Sequence, residues 1–164
     1  MKLSVVIPAY NEEGCIEKTV LTLIEKLRSE KIEYEILVIN DNSSDRTEEL
    51  LIEMCKNNPE LRYITNLPPN GFGLAVRKGL ENFKGDAVCV FMADSSDSPE
   101  DLVRFYRKLE EGYDCVFGSR FRKGGKIIDY PKHKLILNRI FNTFISMLFA
   151  IRYNDITNAF KMYR

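Results

Sequence analysis

Two carboxylates three residues apart, Asp94 and Asp97, follow an apolar run in the stretch 85–102, GDAVCVFMADSSDSPEDL. Carboxylate oxygens are hard ligands that suit Mg2+ or Mn2+, and a cation held there offsets charge that builds on a phosphate leaving group. The same residues have a plainer structural reading, because Asp and Ser end strands and cap helices by bonding nearby backbone. Asp94 is therefore a candidate metal ligand, and Asp97 is open between a second ligand and a helix cap. Ser98 is the natural N-cap of the next helix: Pro99, Glu100 and Asp101 suit a first turn, and Leu102, Val103, Phe105, Tyr106 and Leu109 follow at helical spacing. Other polar residues close other apolar runs, Tyr10 and Glu12 after residues 3–7 and Asn40 and Asp41 after residues 34–39. A basic, glycine-containing loop with Arg120 follows residues 113–117.

The elements that must position these groups alternate. Residues 3–7, 34–39, 61–65, 88–91 and 113–117 read as strands, the first as a nearly continuous apolar run of the kind buried on both faces of a parallel sheet. Between them Ile16, Val20, Leu23, Ile24 and Leu27 recur at helical spacing, as do Leu74, Ala75, Arg77, Lys78 and Leu80. Asp45 and Glu48 have the spacing of a capping box ahead of Leu50, Leu51 and Met54. Such alternation predicts an α/β fold, a mostly parallel sheet with helices on both faces and ligands beyond the carboxyl ends of the strands. Tyr10, Glu12, Asp41, Asp94, Asp97 and Arg120 then share one rim. A carboxylate after each of three strands favours a nucleotide or metal site over a merely solvated edge.

Composition narrows the classes. With 164 residues, 45% of them hydrophobic, the chain is expected to form a single domain over 1–164. The 24 basic and 24 acidic residues cancel, so nothing resembles the positive excess of a nucleic-acid-binding protein. Cys15, Cys55, Cys89 and Cys115 are scattered singly and read as buried thiols of a reducing compartment. The first residues carry no secretory pattern, which places the protein on the cytosolic side by expectation.

The stretches VVIPAYNEE at 5–13, ILVINDNSSDRT at 36–47, GFGLAVRKG at 71–79, MADSSDSPEDL at 92–102, VFGSRFRKGG at 116–125 and DITNAFKMYR at 155–164 resemble, in order, the motifs of family 2 glycosyltransferases with a GT-A fold. The resemblance is nearest to dolichyl- and polyprenyl-phosphate mannose and glucose synthases. It implies a Rossmann-like nucleotide-sugar domain in which Pro8, Tyr10 and Glu12 line the base and ribose pocket and Asp41 accepts hydrogen bonds from the base. Asn40 and Ala93 would adjoin the nucleotide sugar, and Asp94 would be the metal ligand of a D-x-D motif. Two departures stand out. Met92 occupies the first D-x-D position, where a thioether serves a hard cation poorly, and Asn40 replaces the first Asp of the usual D-D-G-S run.

The same resemblance implies a GDP- or UDP-hexose donor and a polyprenyl phosphate acceptor, with Asp94, Arg120 and Lys134 as the catalytic set. Arg122, Lys123, Lys126, Lys132, His133 and Arg139 add positive charge where an anionic acceptor would arrive. A phosphate monoester is already anionic and needs no general base, so an inverting single displacement is expected. The single histidine, His133, is read as assisting phosphate or facing solvent. Residues 135–151 keep Asn138, Arg139, Asn142, Thr143 and Ser146 on one narrow helical face. At about 20 apolar residues per crossing this segment is too short and polar to span a bilayer, so 132–151 is a candidate amphipathic interfacial helix at a membrane surface, peripheral on the cytosolic face. The alternatives are a core helix packed on the sheet and, for the whole chain, a nucleotide-sugar-binding domain without catalysis or a family member with a non-lipid acceptor.

Overall fold

The computed structural model describes residues 1–122 and 131–164, apart from the side chain of Lys132. Lys123 and Lys126 of the basic loop lie outside the described residues. Two compact units form: residues 1–116 with 162–164, and residues 117–161.

The branched and aliphatic runs of the first unit give strands β1 (Leu3–Ala9), β2 (Tyr34–Asn40), β3 (Leu61–Thr65) and β4 (Ala87–Val90), and every residue of β1 and β2 is buried. β1 pairs in parallel with β2 and with β4, and β2 pairs in parallel with β3. The β1–β4 ladder ends at Val6 and Val90, so Pro8, which has no N–H to give, falls beyond it. With β5 (Cys115–Phe117) and β6 (Lys161–Tyr163), the described strands run β3-β2-β1-β4-β6-β5. β6 is antiparallel to β4, with Cys89 opposite Met162 and Val88 opposite Tyr163. Three residues are too few to show a period, and the sequence reading omits this strand.

Helices α1 (Ile16–Ser29), α2 (Thr47–Asn57), α3 (Phe72–Asn82) and α4 (Pro99–Glu110) connect the strands. On one face α3 packs on β1 and β2, where Val6, Leu37, Ile39, Ala75 and Val88 form a cluster. The approach is close: a Cβ on Gly79 would lie 2.2 Å from Cγ1 of Val6, so only glycine fits. Strand alternation turns Val5, Ile7, Ile36 and Val38 to the opposite face, and all are fully buried. There α1 packs beside α2 and α4 and buries Ile16, Val20, Leu23, Ile24 and Leu27. Glu35, buried at the start of β2, accepts from Ser4 Oγ, Arg62 Nε and Lys84 N. Burial pushes its pKa up, but these donors outweigh burial and hold the carboxyl below its ordinary value.

Two local expectations are corrected. The Asp45–Glu48 capping box does not form: Glu48 accepts from Thr65 Oγ1 on β3 at 2.7 Å, and Asp45 accepts from the backbone N–H groups of Thr47 and Glu13. Among the cysteines only Cys89 is fully buried; Cys15 and Cys55 are half-buried and Cys115 is exposed.

In the second unit, the polar side of α5 (Lys132–Leu148) has Asn142 buried, Asn138 and Ser146 half-buried, and Arg139 and Thr143 exposed. Asn142, 2% exposed, donates to Asn138 and to Thr157 Oγ1 and accepts from Thr157 N at 3.1 Å. The apolar residues Ile136, Leu137, Ile140, Phe141, Phe144, Met147 and Leu148 are exposed, up to 77% at Met147.

Candidate functional site

The rim begins where the three central strands stop. Each is followed by a residue in the left-handed region, Asn11 after β1 at φ 56°, Asn42 after β2 at φ 59° and Ser95 after β4 at φ 61°. Asparagine tolerates this conformation; serine does so less readily, and strain of this kind gathers at functional sites. Ser95 is tied down by a 2.6 Å hydrogen bond between its hydroxyl and that of Thr19, which also donates to the carbonyl of Ala93.

The loops after β1 and β2 are stitched together. Asn11 N donates to Ser43 Oγ, Glu12 N to Thr47 Oγ1 and Glu13 N to Asp45 Oδ2, while Ser44 N and Arg46 N return bonds to Asn11 Oδ1 and Glu13 Oε2. These reciprocal bonds hold Tyr10, exposed, and Glu12, half-buried, at the end of β1. Burial first, then the charges of Asp94 and Asp45, push the Glu12 pKa above its ordinary value. Carboxylates from three separate loops thus feel one another, a concentration of negative charge that a divalent cation would relieve.

Asp41 plays a bracing part that its sequence position does not announce. Buried at the end of β2, it accepts from Asn66 Nδ2 and from Gly71 N, each at 2.7 Å, and so fixes the loop that leads into α3. Its neighbour Asn40 accepts from Ser43 N, but its buried Nδ2 has no partner among the described residues. A buried orphan donor costs about 1–3 kcal/mol, so a ligand acceptor there would be favoured.

Asp94 stands exposed beyond β4, with Oδ1 accepting from Ser96 N at 3.0 Å in a local turn. Asp97 turns inward, and its Oδ2 accepts from Met92 N at 2.9 Å. Its charge, after burial, also raises the Cys89 thiol pKa. The helix-cap alternative for Asp97 is corrected, because Ser98 caps α4 by accepting from Asp101 N, as the sequence predicts. Met92, at the first D-x-D position, thus takes part through its backbone N–H. Among the described residues no group of three or more His, Cys, Asp or Glu side chains is assembled to hold a metal. Asp94 supplies hard oxygen at the rim, which fits Mg2+ or Mn2+ when ligand oxygens complete the shell.

Arg120 and Lys134 belong to the second unit. Arg120 grips Asp155, which is fully buried, through Nε at 2.9 Å and Nη2 at 2.6 Å, and donates its backbone N–H to the same carboxylate. That pair organises the turn ahead of β6. Lys134 is exposed on the first turn of α5, beside exposed His133. Asp155 and Asn142 hold this unit together, and a sequence reading misses both because a buried polar residue looks like a surface one until its partners are known.

The family model for glycosyl transferase family 2 matches residues 4–164. Among curated proteins the chain is 32% identical over 139 residues to a dolichol-phosphate mannosyltransferase of Pyrococcus furiosus, covering 85% of this chain and 39% of that protein. It is 30% identical over 164 residues to a polyprenol monophosphomannose synthase of Mycolicibacterium smegmatis, covering 98% of this chain and 60% of that one. The chain therefore spans less than two thirds of the length of each of these relatives. Among solved structures, a mannosyltransferase of Pyrobaculum calidifontis in complex with GDP-Man and Mn2+ superimposes with a TM-score of 0.61 at 21% identity, covering 71% of this chain and 35% of that one. This likeness shows the fold, a GT-A type α/β sheet.

Proposed function

This chain belongs to glycosyl transferase family 2, and from that premise we propose that it moves a hexose, mannose or glucose, from a GDP or UDP sugar to a polyprenyl phosphate with inversion at the anomeric carbon. The observation that carries the reading is the rim itself, where stitched loops after β1 and β2 and the Asp94 turn after β4 lie at the carboxyl ends of adjacent parallel strands.

Each residue has a task in this reading. Tyr10 offers a ring, and Pro8 and Glu12 line the pocket for base and ribose. The unpartnered Asn40 Nδ2 donates to an acceptor on the base, and Asp41 braces the pocket wall through Asn66 and Gly71. Asp94 would hold a Mg2+ or Mn2+ ion, with Asp97 as its nearest carboxylate in sequence and Ala93 against the donor; when bound, the ion supplies Lewis-acid help to the departing diphosphate. An acceptor phosphate oxygen forms the new bond to the anomeric carbon as the bond to the nucleoside diphosphate breaks, and no side chain has to remove a proton. Arg120 and Lys134 would neutralise the acceptor, with Arg120 oriented by Asp155.

The outward apolar side of α5 supports docking on a membrane surface as an interfacial helix at the cytosolic face. Basic Lys134 and Arg139 on the same helix suit anionic head groups. No helix among the described residues is long and apolar enough to cross a membrane. The named relatives, a dolichol-phosphate mannosyltransferase and a polyprenol monophosphomannose synthase, favour a lipid phosphate acceptor.

Transfer of labelled sugar from GDP-mannose or UDP-glucose to polyprenyl phosphate in the presence of Mn2+ tests the reading. We expect transfer that falls at least about 100-fold, or roughly 2.7 kcal/mol of barrier, in Asp94→Ala. Unchanged transfer in that variant would overturn it. A second reading, donor binding without turnover, is motivated by the bond from Met92 N to Asp97 and by the lack of an assembled metal cluster among the described residues. Calorimetric binding of the donor with no product would select it.

A further inference from the structure

The second unit contains a cavity of about 270 Å3 lined by Arg122, Arg139 and Arg152 together with Asn142, Thr143, Ser146, Met147, Tyr153 and Asn154. Three guanidinium-bearing side chains around one small space repel one another unless an anion sits among them. Among the described residues none of the three takes part in an ion pair, whereas Arg120 close by in sequence is gripped by Asp155.

Four of the neutral donors of the wall are already committed, and Asn154 accepts from Ser119 Oγ. Thr143 donates to the Arg139 carbonyl, Ser146 to that of Ile151, Tyr153 to that of Gly118, and Asn142 to Asn138 and Thr157. These bonds tie α5 to the segment 151–157 and make the wall a fixed frame. Arg139 is further held by its guanidinium, whose central carbon lies 4.5 Å from the centre of the Phe121 ring in a cation–π contact. The charged donors of the frame are its three arginines, and planar guanidinium forks match phosphate oxygens two at a time.

We propose that this cavity, whose lining includes neither Arg120 nor Lys134, is a phosphate-binding site that takes the phosphate of an anionic membrane lipid. Apolar side chains mark the same stretch of α5: Met147 lines the cavity, and Phe144, Leu148 and Phe149 are exposed beside it in sequence. A phosphate bound among the arginines would fix the rotation of α5 on a bilayer, with its apolar side in the acyl boundary and its head-group contacts in one place. The site rests on the reading of α5 as a membrane-docking helix and deepens it, but it uses no residue of the carboxylate rim.

Co-sedimentation of the full chain with phosphatidylcholine vesicles, with and without phosphatidylglycerol, tests the proposal, read beside thermal melting in inorganic phosphate. Wild-type protein should bind the phosphatidylglycerol vesicles more tightly, and Arg139→Gln and Arg152→Gln should each weaken that binding about tenfold, the loss of one charge-assisted fork or about 1.4 kcal/mol. Arg104→Gln, on α4 and paired with Asp101, makes the same change of net charge and should alter binding less than about threefold. Arg139→Lys, which keeps the charge without the fork, should fall between, and Asp94→Ala should bind as wild type, which separates this site from the transfer chemistry. If inorganic phosphate raises the melting temperature in an Arg139- and Arg152-dependent manner while vesicles are not discriminated, the ligand is a soluble phosphate in the same cavity. Equal losses in Arg104→Gln and the cavity variants, or no loss in any of them, would overturn the site; unaltered melting of the variants excludes misfolding as the cause.

Discussion

Helices α4 and α5 carry the same kind of signal in sequence and use it in opposite senses. In α4 the apolar residues Leu102, Val103, Tyr106 and Leu109 are buried, and the outer side carries ion pairs such as Arg104 with Asp101 and Arg107 with Glu110. In α5 the polar residues Asn138 and Asn142 turn inward onto Thr157, and the apolar residues face out. Helical periodicity shows that a helix has two sides; which one is inward depends on what the partner segment offers. For α4 that partner is α1 with its apolar side chains. For α5 it is a polar turn, where Asn142 satisfies the Thr157 backbone, and the apolar side is left for a second environment.

Substitutions on the two helices should separate by size. Leu102→Ala, on the buried side of α4, is expected to cost about 3 kcal/mol in urea unfolding, whereas Leu137→Ala, 64% exposed on α5, should stay within about 0.5 kcal/mol. Equal costs would break the contrast. Asn142→Leu should lose about 1–3 kcal/mol, because it leaves the Thr157 N–H without its acceptor; a gain in stability would mean that the inward side of α5 tolerates apolar packing after all.

Charge sharpens the contrast further, since the rim of the first unit gathers carboxylates and the cavity of the second gathers arginines. The folded Glu12 carboxyl has a raised pKa, so its ionisation opposes folding: the penalty is complete above the raised value and absent below the ordinary carboxylate range. Glu12→Gln should therefore melt slightly higher than wild type near neutral pH, and the difference should vanish as pH falls through that window. A difference that persists or grows on acidification would show that ionisation of Glu12 is not its cause. Smaller still, Phe144→Ser should leave the melting temperature unchanged while it weakens binding to phosphatidylcholine vesicles, and intact vesicle binding would argue against the outward side of α5 as the bilayer contact.

Much of the first unit is legible in the sequence. Continuous branched runs mark β1, β2 and β4 because both faces of those strands are buried, and the Ser98 cap is marked by Pro99 and two acidic residues after it. Strand-end polar groups identify the rim because loops of a parallel sheet converge there. What escapes a sequence reading depends on partners distant in the chain: Glu48 is drawn to Thr65 and away from a capping box, Asp41 to Asn66 and Gly71, and Asp97 to the Met92 backbone. Ser95 at φ 61° has no sequence mark at all, because its conformation is set by Thr19 on another element. The inverted α5 shows its two sides clearly in sequence, and only the buried Asn142 reveals their direction.

The most direct test of the rim is calorimetric titration of GDP-mannose and UDP-glucose into wild-type protein and Asp94→Asn, each with and without Mn2+. The account predicts Mn2+-dependent binding of one donor by wild type and at least about tenfold weaker binding by Asp94→Asn, equivalent to about 1.4 kcal/mol, with melting unchanged because Asp94 is exposed. Equal donor affinity in the two proteins, with or without the metal, would contradict it.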